Sequence, residues 1–317
     1  MRDAFIRALA EMAEADRRVL LVTGDLGFGV FDQYRRRFPG QFLNAGVAEQ
    51  NMTMVATGLA LEGRVVFTYS IANFPTLRCL EQIRSDAAYH QANLKVVAIG
   101  GGFSYGALGI SHHATEDLAI LRALPGITVL APGDLWEAEQ ATRVLAATPG
   151  TAYLRLDKSH ARTGPGPGEA FRVGHARRLR EGGDCTLVAC GGILGEALEA
   201  ADLLARERIQ CRVLSMHTIK PLDTAALADA AQDTAGLLTV EEHTVIGGLG
   251  GAVAEELLEA GIHPGFFRRL GLRAGFSSLV GSQQYLRGCY GLDANAIAAA
   301  VRTAVNTRYQ HATQTMV

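Results

Sequence analysis

The sequence predicts an α/β protein of two consecutive domains with mostly parallel sheets, and three observations carry that expectation. At 317 residues the chain is about twice the length of an ordinary domain. Short apolar runs alternate with helix-patterned segments along almost all of it. The stretch 159–170, SHARTGPGPGEA, holds three glycines and two prolines without periodicity and divides the chain into expected domains 1–160 and 171–317.

The first domain opens on a helix, with Phe5, Ile6, Leu9 and Met12 at helical spacing over 1–15. VLLVTGDLG (19–27) reads as a buried parallel strand. FLNAG (42–46) leads into GVAEQNMTMVATGLALEG, a helix pattern that closes on Gly63. VVFTYS (65–70) is a strand, and 74–91 is one helix with Pro75 in its first turn. LKVVAIGGG (94–102), ITVLAPGD (127–134) and TAYLRLDK (151–158) are strands; 114–126 and 135–150 are the helices between them. In the second domain CTLVACGG (185–192), CRVLSMH (211–217) and GLLTVEEH (236–243) are strands. Helices follow at 194–209, 224–233, 250–261 and 294–304, and QHATQTMV (310–317) is expected to be a loose tail.

Composition narrows the function. Hydrophobic residues are 48%, charged residues 20% and the net charge is −2, which argues against a disordered chain and against a basic nucleic-acid binder. No uncharged apolar run approaches the ~18 residues of a membrane span. The opening MRDAFIRALAEMAEADRR is charged throughout and has no apolar core of a signal peptide. The 5 cysteines contain no C-x-x-C pair, so neither a disulfide framework nor a zinc site is expected, and a reduced, cytoplasmic setting is.

Standard phosphate cradles are absent: neither G-x-G-x-x-G nor G-x-x-x-x-G-K-[ST] occurs, and GGLGGA (247–252) lacks the third glycine of the former. GFSYG (102–106) fits the G-x-S-x-G nucleophile elbow, which opens a serine-hydrolase alternative through Ser104 with Asp134 or Asp157 and His160. An elbow runs straight into a helix, however, and here a second glycine loop, ALGISHH, follows. A stronger constellation lies in three loops after consecutive strands, where open parallel sheets bind ligands. NAGVAEQNM (44–52) places Glu49 in the first turn of a helix, FTYSIANFPTL (67–77) spaces Ile71, Phe74 and Leu77 by three, and 100–117 carries His112 and His113. Taken alone, Glu49 equally suits a carboxylate answering the helix dipole, the apolar triplet suits a core, and the His pair suits a helix cap.

NAGVAEQNM, then GLALEG, a strand, an F-x-x-L-x-x-x-E-Q-I-R helix, and G-x-S-H-H-x-x-E-D-L-A-x-x-R-A-L-P-G-x-x-V-x-x-P-G-D resemble the thiamine-diphosphate transketolase family, in order and over nearly the whole chain. VEEHTVIGGLGGAVAE (240–255) resembles the same family's C-terminal domain. The resemblance implies a pyrimidine-binding domain followed by that C-terminal domain. The family's GDG…N pattern, which holds the cofactor diphosphate and Mg²⁺, does not occur. The chain therefore reads as the second subunit of a split transketolase, with a partner subunit supplying the diphosphate and Mg²⁺ site and an α2β2 assembly that includes self-association.

The resemblance also distributes roles. Glu49 matches the carboxylate that hydrogen-bonds N1′ of the aminopyrimidine and so promotes loss of the thiazolium C2 proton. Phe74 matches the ring that stacks on the pyrimidine, with Ile71 and Leu77 lining the slot. His112 matches a histidine beside the thiazolium that bonds substrate oxygens or moves a proton, and His113 stands next to it. Asp25, in TGDLG, resembles an acidic strand-end loop near the cofactor. Arg155 and Lys158 end the next strand, and Lys158 resembles a phosphate-binding residue of the deoxyxylulose-phosphate synthase branch. Leu108 and Gly100–Gly102 stand where the family often carries polar contacts to the acceptor, which points to a non-standard acceptor. Within the same chemistry the alternatives are a deoxyxylulose-type synthase and the β-subunit of a 2-oxoacid dehydrogenase first component. Outside it stand the Ser104 hydrolase and a non-catalytic partner that only stabilises another α/β protein.

Overall fold

The computed structural model describes residues 1–273 and 275–314. In chain order the strands are β1 (Val19–Thr23), β2 (Phe42–Asn44), β3 (Val65–Ile71), β4 (Leu94–Ile99), β5 (Ile127–Leu130), β6 (Thr151–Leu156), β7 (Arg177–Arg180), β8 (Cys185–Ala189), β9 (Cys211–Ser215), β10 (Thr218–Lys220), β11 (Leu237–Thr244) and β12 (Phe267–Leu272). The helices are α1 (Arg2–Ala15), α2 (Asp32–Arg37), α3 (Glu49–Leu61), α4 (Asp117–Ala123), α5 (Leu135–Ala147), α6 (Leu194–Arg206), α7 (Thr224–Asp233), α8 (Leu249–Glu259), α9 (Gln283–Cys289) and α10 (Ala294–Gln314).

Two sheets result, as the alternating pattern predicts. The first runs β10-β5-β6-β4-β3-β1-β2 and the second β12-β11-β8-β9-β7. Every pairing is parallel except β10 on β5 and β7 on β9. β1 shows why these runs are strands: Leu20 and Val22 point into one apolar cluster, Val19 and Leu21 into the other, so both faces are buried. On one face α1, α2 and α5 contribute Phe5, Leu9, Tyr34 and Leu145, joined by Phe31 just before α2. On the other, Met52 and Ala56 of α3 and Leu118 of α4 share a single cluster with Val188, Leu214 and Leu249 of the second half. The core is thus continuous between the two sheets, and each large apolar side chain buried in it contributes on the order of 2 kcal/mol.

Three expectations change. β10 comes from the second half of the chain but completes the first sheet, where its antiparallel pairing covers the β5 edge. The single helix expected over 74–91 is broken: a 3₁₀ turn spans Leu77–Cys79 and a π-helical stretch spans Gln82–Ala88. Pro75 supplies no amide hydrogen at the start of this segment, and wide helical turns recur at functional sites. The tail expected to be loose is helical as far as Gln314, and 315–317 lie outside the described residues. Among the described residues no helix is long and apolar enough to cross a membrane.

The linker is held by Arg177. Its guanidinium, 4% exposed as a side chain, pairs with Asp134 and Glu137 at 2.8 Å and with Glu169 at 2.7 Å. It also donates to the Gly164 carbonyl at 2.8 Å and lies 4.5 Å over the Trp136 ring. One buried cation thereby ties the start of α5 to the glycine- and proline-rich segment that the sequence marks as a boundary.

Candidate active site

Three loops leave the C-terminal ends of β2, β3 and β4 on the same edge of the first sheet. Glu49 is the first residue of α3, preceded by Ala48, which makes no side-chain cap. Its carboxylate is 4% exposed, and its Oε2 accepts a hydrogen bond of 2.8 Å from Arg78 Nη1. A carboxylate taken out of water needs such a partner, and the open amides of the α3 N-terminus add to its support.

The β3 loop is shaped by strain. Ala72 has φ 41°, the left-handed region, is buried, and donates its amide to the Ile99 carbonyl at 2.9 Å. A non-glycine residue held this way costs on the order of 1 kcal/mol, and here the kink turns the chain off the strand so that Phe74 stands half-buried at the sheet edge. Arg78, four residues on, lies with its guanidinium carbon 4.6 Å from the centre of the Phe74 ring. One planar group therefore stacks on Phe74 and donates N–H to Glu49 at the same time. Leu77 is exposed beside it, whereas Ile71 is half-buried against the cluster on the α1 side of the sheet.

His112, in the third loop, meets Phe74 edge-on, with ring centres 5.2 Å apart, and its Nδ1 is 2.9 Å from Ser111 Oγ. Burial, and then the neighbouring His113, lower the His112 pKa, so the ring is neutral near pH 7. Asn73 joins the second and third loops: its Nδ2 donates to the His113 carbonyl at 2.8 Å, while its buried Oδ1 has no partner among the described residues.

The remaining expected residues are spread more widely. Asp25, at φ 56°, is exposed and exchanges two 2.9 Å hydrogen bonds with Asn44. Lys158 lies outside the Glu49 cluster, with Nζ 3.6 Å from the centre of the Tyr105 ring, in a cleft of about 490 Å³ shared with Arg2, Arg7 and His160. Burial, and then Arg2, lower its pKa. Tyr105 stands between the two places, 6.1 Å from the His112 ring.

Two assignments are corrected by burial. His113 is fully buried, its Nδ1 2.8 Å from Ser277 Oγ and its Nε2 3.0 Å from the Gly106 carbonyl, so neither ring nitrogen is free for a substrate. Arg155 is equally committed: it pairs with Asp117 and Asp157 at 3.3 Å and donates to the Glu242 carbonyl at 3.0 Å. A side chain at Gly101 would overlap the Arg155 guanidinium and the Asp157 carboxylate, so glycine at that position follows from this internal pair. The Ser104 hydrolase alternative also falls. Its Oγ donates to the Gly101 carbonyl at 2.8 Å and accepts from the Lys158 amide at 3.1 Å, with no imidazole bonded to it among the described residues.

Arg78 and Asn73 belong to the site although sequence reasoning does not single them out. For Arg78 a signal exists: it sits at i+4 from Phe74 within a helix-patterned segment.

Residues 1–163 match the model of the transketolase pyrimidine-binding domain, and residues 174–297 that of the transketolase C-terminal domain. The chain belongs to the transketolase family. Membership implies a transferase and, as its cofactor, thiamine diphosphate. Among transketolase relatives, a subunit of the apulose-4-phosphate transketolase of Phocaeicola vulgatus is 37% identical over 81% of this chain and 83% of its own. The 6-deoxy-6-sulfo-D-fructose transketolase subunit SqwH of a Clostridium species is 37% identical over 95% and 92%. A solved split-gene transketolase, an inactive β4 tetramer, superposes with a TM-score of 0.86 at 35% identity over 96% of this chain and 97% of its own.

Proposed function

We propose that this chain is the pyrimidine-binding subunit of a two-component transketolase that moves a two-carbon ketol unit from a ketose donor to an aldehyde or ketone acceptor. The observation that carries the reading is the Arg78 guanidinium. A flat, nitrogen-bearing group lying on Phe74 and hydrogen-bonded to the buried Glu49 is the arrangement an aminopyrimidine requires, so the donor set fits that heterocycle. When bound, thiamine diphosphate supplies the carbanion chemistry of ketol transfer. Glu49 holds and exchanges a proton with the pyrimidine ring nitrogen, and its burial keeps water from competing for that bond. Phe74 orients the ring from one face, with Leu77 exposed beside it, while Ile71 packs into the α1-side cluster and supports the strand end from below. His112, neutral and at the edge of Phe74, donates to or accepts from substrate oxygens, and Asp25 faces the cofactor from the β1 loop.

The diphosphate and Mg²⁺ are held by a partner subunit. Val47, Met54, Val55, Leu77, Leu108 and Ile110 are exposed on the loops and helix around Glu49, an apolar rim of the kind an obligate partner covers. Lys158, in the cleft beyond Tyr105, takes an anionic end of the substrate. Leu108 and Gly100–Gly102 bring no polar side chain to the acceptor, which supports an acceptor outside the ordinary aldose phosphates. The relatives named for a phosphorylated and a sulfonated sugar are consistent with an anionic substrate.

The test is Glu49→Gln in the two-component enzyme. Because Gln keeps the shape and loses the proton function, kcat should fall about 10²- to 10⁴-fold, with thermal stability within a few degrees of the parent. Near-normal turnover would overturn the reading.

A further inference from the structure

Among the described residues the C-terminal domain contributes none to the Glu49 cluster, yet it grips the loop that carries His112 at several points. The VEEHT segment at the end of β11 runs along both ends of that loop. Glu242 Oε1 accepts from the Phe103 amide at 2.5 Å and from Gln283 Nε2 at 2.8 Å, and Oε2 accepts from Arg287. Thr244 donates its amide to the Thr115 carbonyl at 2.8 Å. At the middle of the loop, Ser277 holds His113, the neighbour of His112, and the Gly281 amide donates to the Gly106 carbonyl at 3.2 Å. Phe103 is fully buried among Leu272, Leu286 and Tyr290. A side chain at Gly102 would overlap the Glu242 carboxylate, so the backbone approaches this clamp as closely as it can.

We infer that Glu242 is a positioning residue: through the Phe103 amide, and together with Ser277 on His113, the C-terminal domain fixes the loop that presents His112 to the substrate. The inference rests on the role proposed above for His112. A glycine-rich loop with Gly100, Gly102 and Gly109 at positive φ has little stiffness of its own. Its geometry is therefore imposed from outside, and the Glu242 carboxylate and Ser277 hydroxyl that fix it are buried and hydrogen-bonded, the condition under which such bonds are strongest. Glu242 is 2% exposed and its carboxylate is taken up by Phe103, Gln283 and Arg287, so in this proposal it acts on the reaction through the loop and His112.

The test uses hydrogen exchange by mass spectrometry on the full chain, joined to kinetics of the two-component enzyme. Glu242→Ala should speed exchange of amides 100–113 at least tenfold while β3 and β6 stay protected, and Glu242→Gln, which keeps an acceptor oxygen for Phe103, should restore most of the protection. If Glu242→Ala does not fold, Ser277→Ala replaces it, with a several-fold increase expected over the same segment. Leu204→Ala, in α6 of the same domain and remote from the loop, controls for lost stability. Glu242→Ala should lower kcat/KM ten- to a hundredfold in the parent but less than twofold in a His112→Asn background. Unchanged loop exchange, an equal rise in Leu204→Ala, or a full kinetic loss on top of His112→Asn would each overturn the inference. If His112→Asn alone costs nothing while the loop still loosens, the clamp stands and the role given to His112 fails.

Discussion

In the proposed site Arg78 occupies the place of the bound heterocycle, so shortening it should tighten cofactor binding. In Arg78→Ala the guanidinium no longer has to be displaced from Phe74 and Glu49. Its side chain is 49% exposed against 4% for Glu49, so the ion pair is largely screened and its strength is about 0.2–1 kcal/mol. The stacking on Phe74 adds about 0.5–1 kcal/mol at an exposed site. Together these set the cost of opening at about 0.7–2 kcal/mol, or roughly a 3- to 30-fold lower apparent Kd once that cost is removed. Leaving the buried Glu49 unpaired in the free protein acts in the same direction. The assay is calorimetric titration of thiamine diphosphate into the two-component assembly at fixed Mg²⁺, with Arg78→Lys expected to lie between parent and Ala. A Kd that is unchanged or weaker in Arg78→Ala would show that Arg78 supports the bound state, and the displacement argument would fail.

Other consequences follow from burial and from charge. Lys95 is fully buried, donates to the Thr148 carbonyl at 2.8 Å and has its pKa lowered by burial to about 7. The unfolded chain keeps that proton to above pH 10, so stability should rise by roughly 1 kcal/mol between pH 7 and 8. Lys95→Met should flatten that rise in urea titrations; parallel pH slopes in the two proteins would contradict it. Lys158→Ala is expected to raise KM for an anionic substrate about tenfold or more with kcat within twofold, and an effect on kcat alone would place Lys158 elsewhere. Gly101→Ala should destabilise the fold by about 2 kcal/mol or more, read from the denaturant midpoint, because the buried Arg155–Asp157 pair has to move. Ser104→Ala should not abolish activity, and the parent should resist labelling by a fluorophosphonate; labelling at Ser104 would revive the hydrolase reading.

The two-sheet architecture, the order of the loops and the placing of Glu49, Phe74 and His112 on them were legible in the sequence, because continuous apolar runs and period-3.6 patterns record which local geometry buries apolar side chains. Partnerships were not. Arg78 meets Glu49 across 29 residues and Ser277 meets His113 across 164, and no periodicity encodes where two loops converge. Two adjacent histidines look alike in sequence, yet the fold turns one ring toward Phe74 and buries the other. Arg155 lies within β6 and is drawn inward by Asp117 and Asp157, whereas Lys158 follows the end of that strand and stands in the cleft. β10 joins the first sheet rather than the second because an open edge at β5 lies beside it, a fact of tertiary proximity alone. Local backbone preference and binary pattern determine the elements; which polar groups end up sharing a water-poor space is decided only when the elements pack.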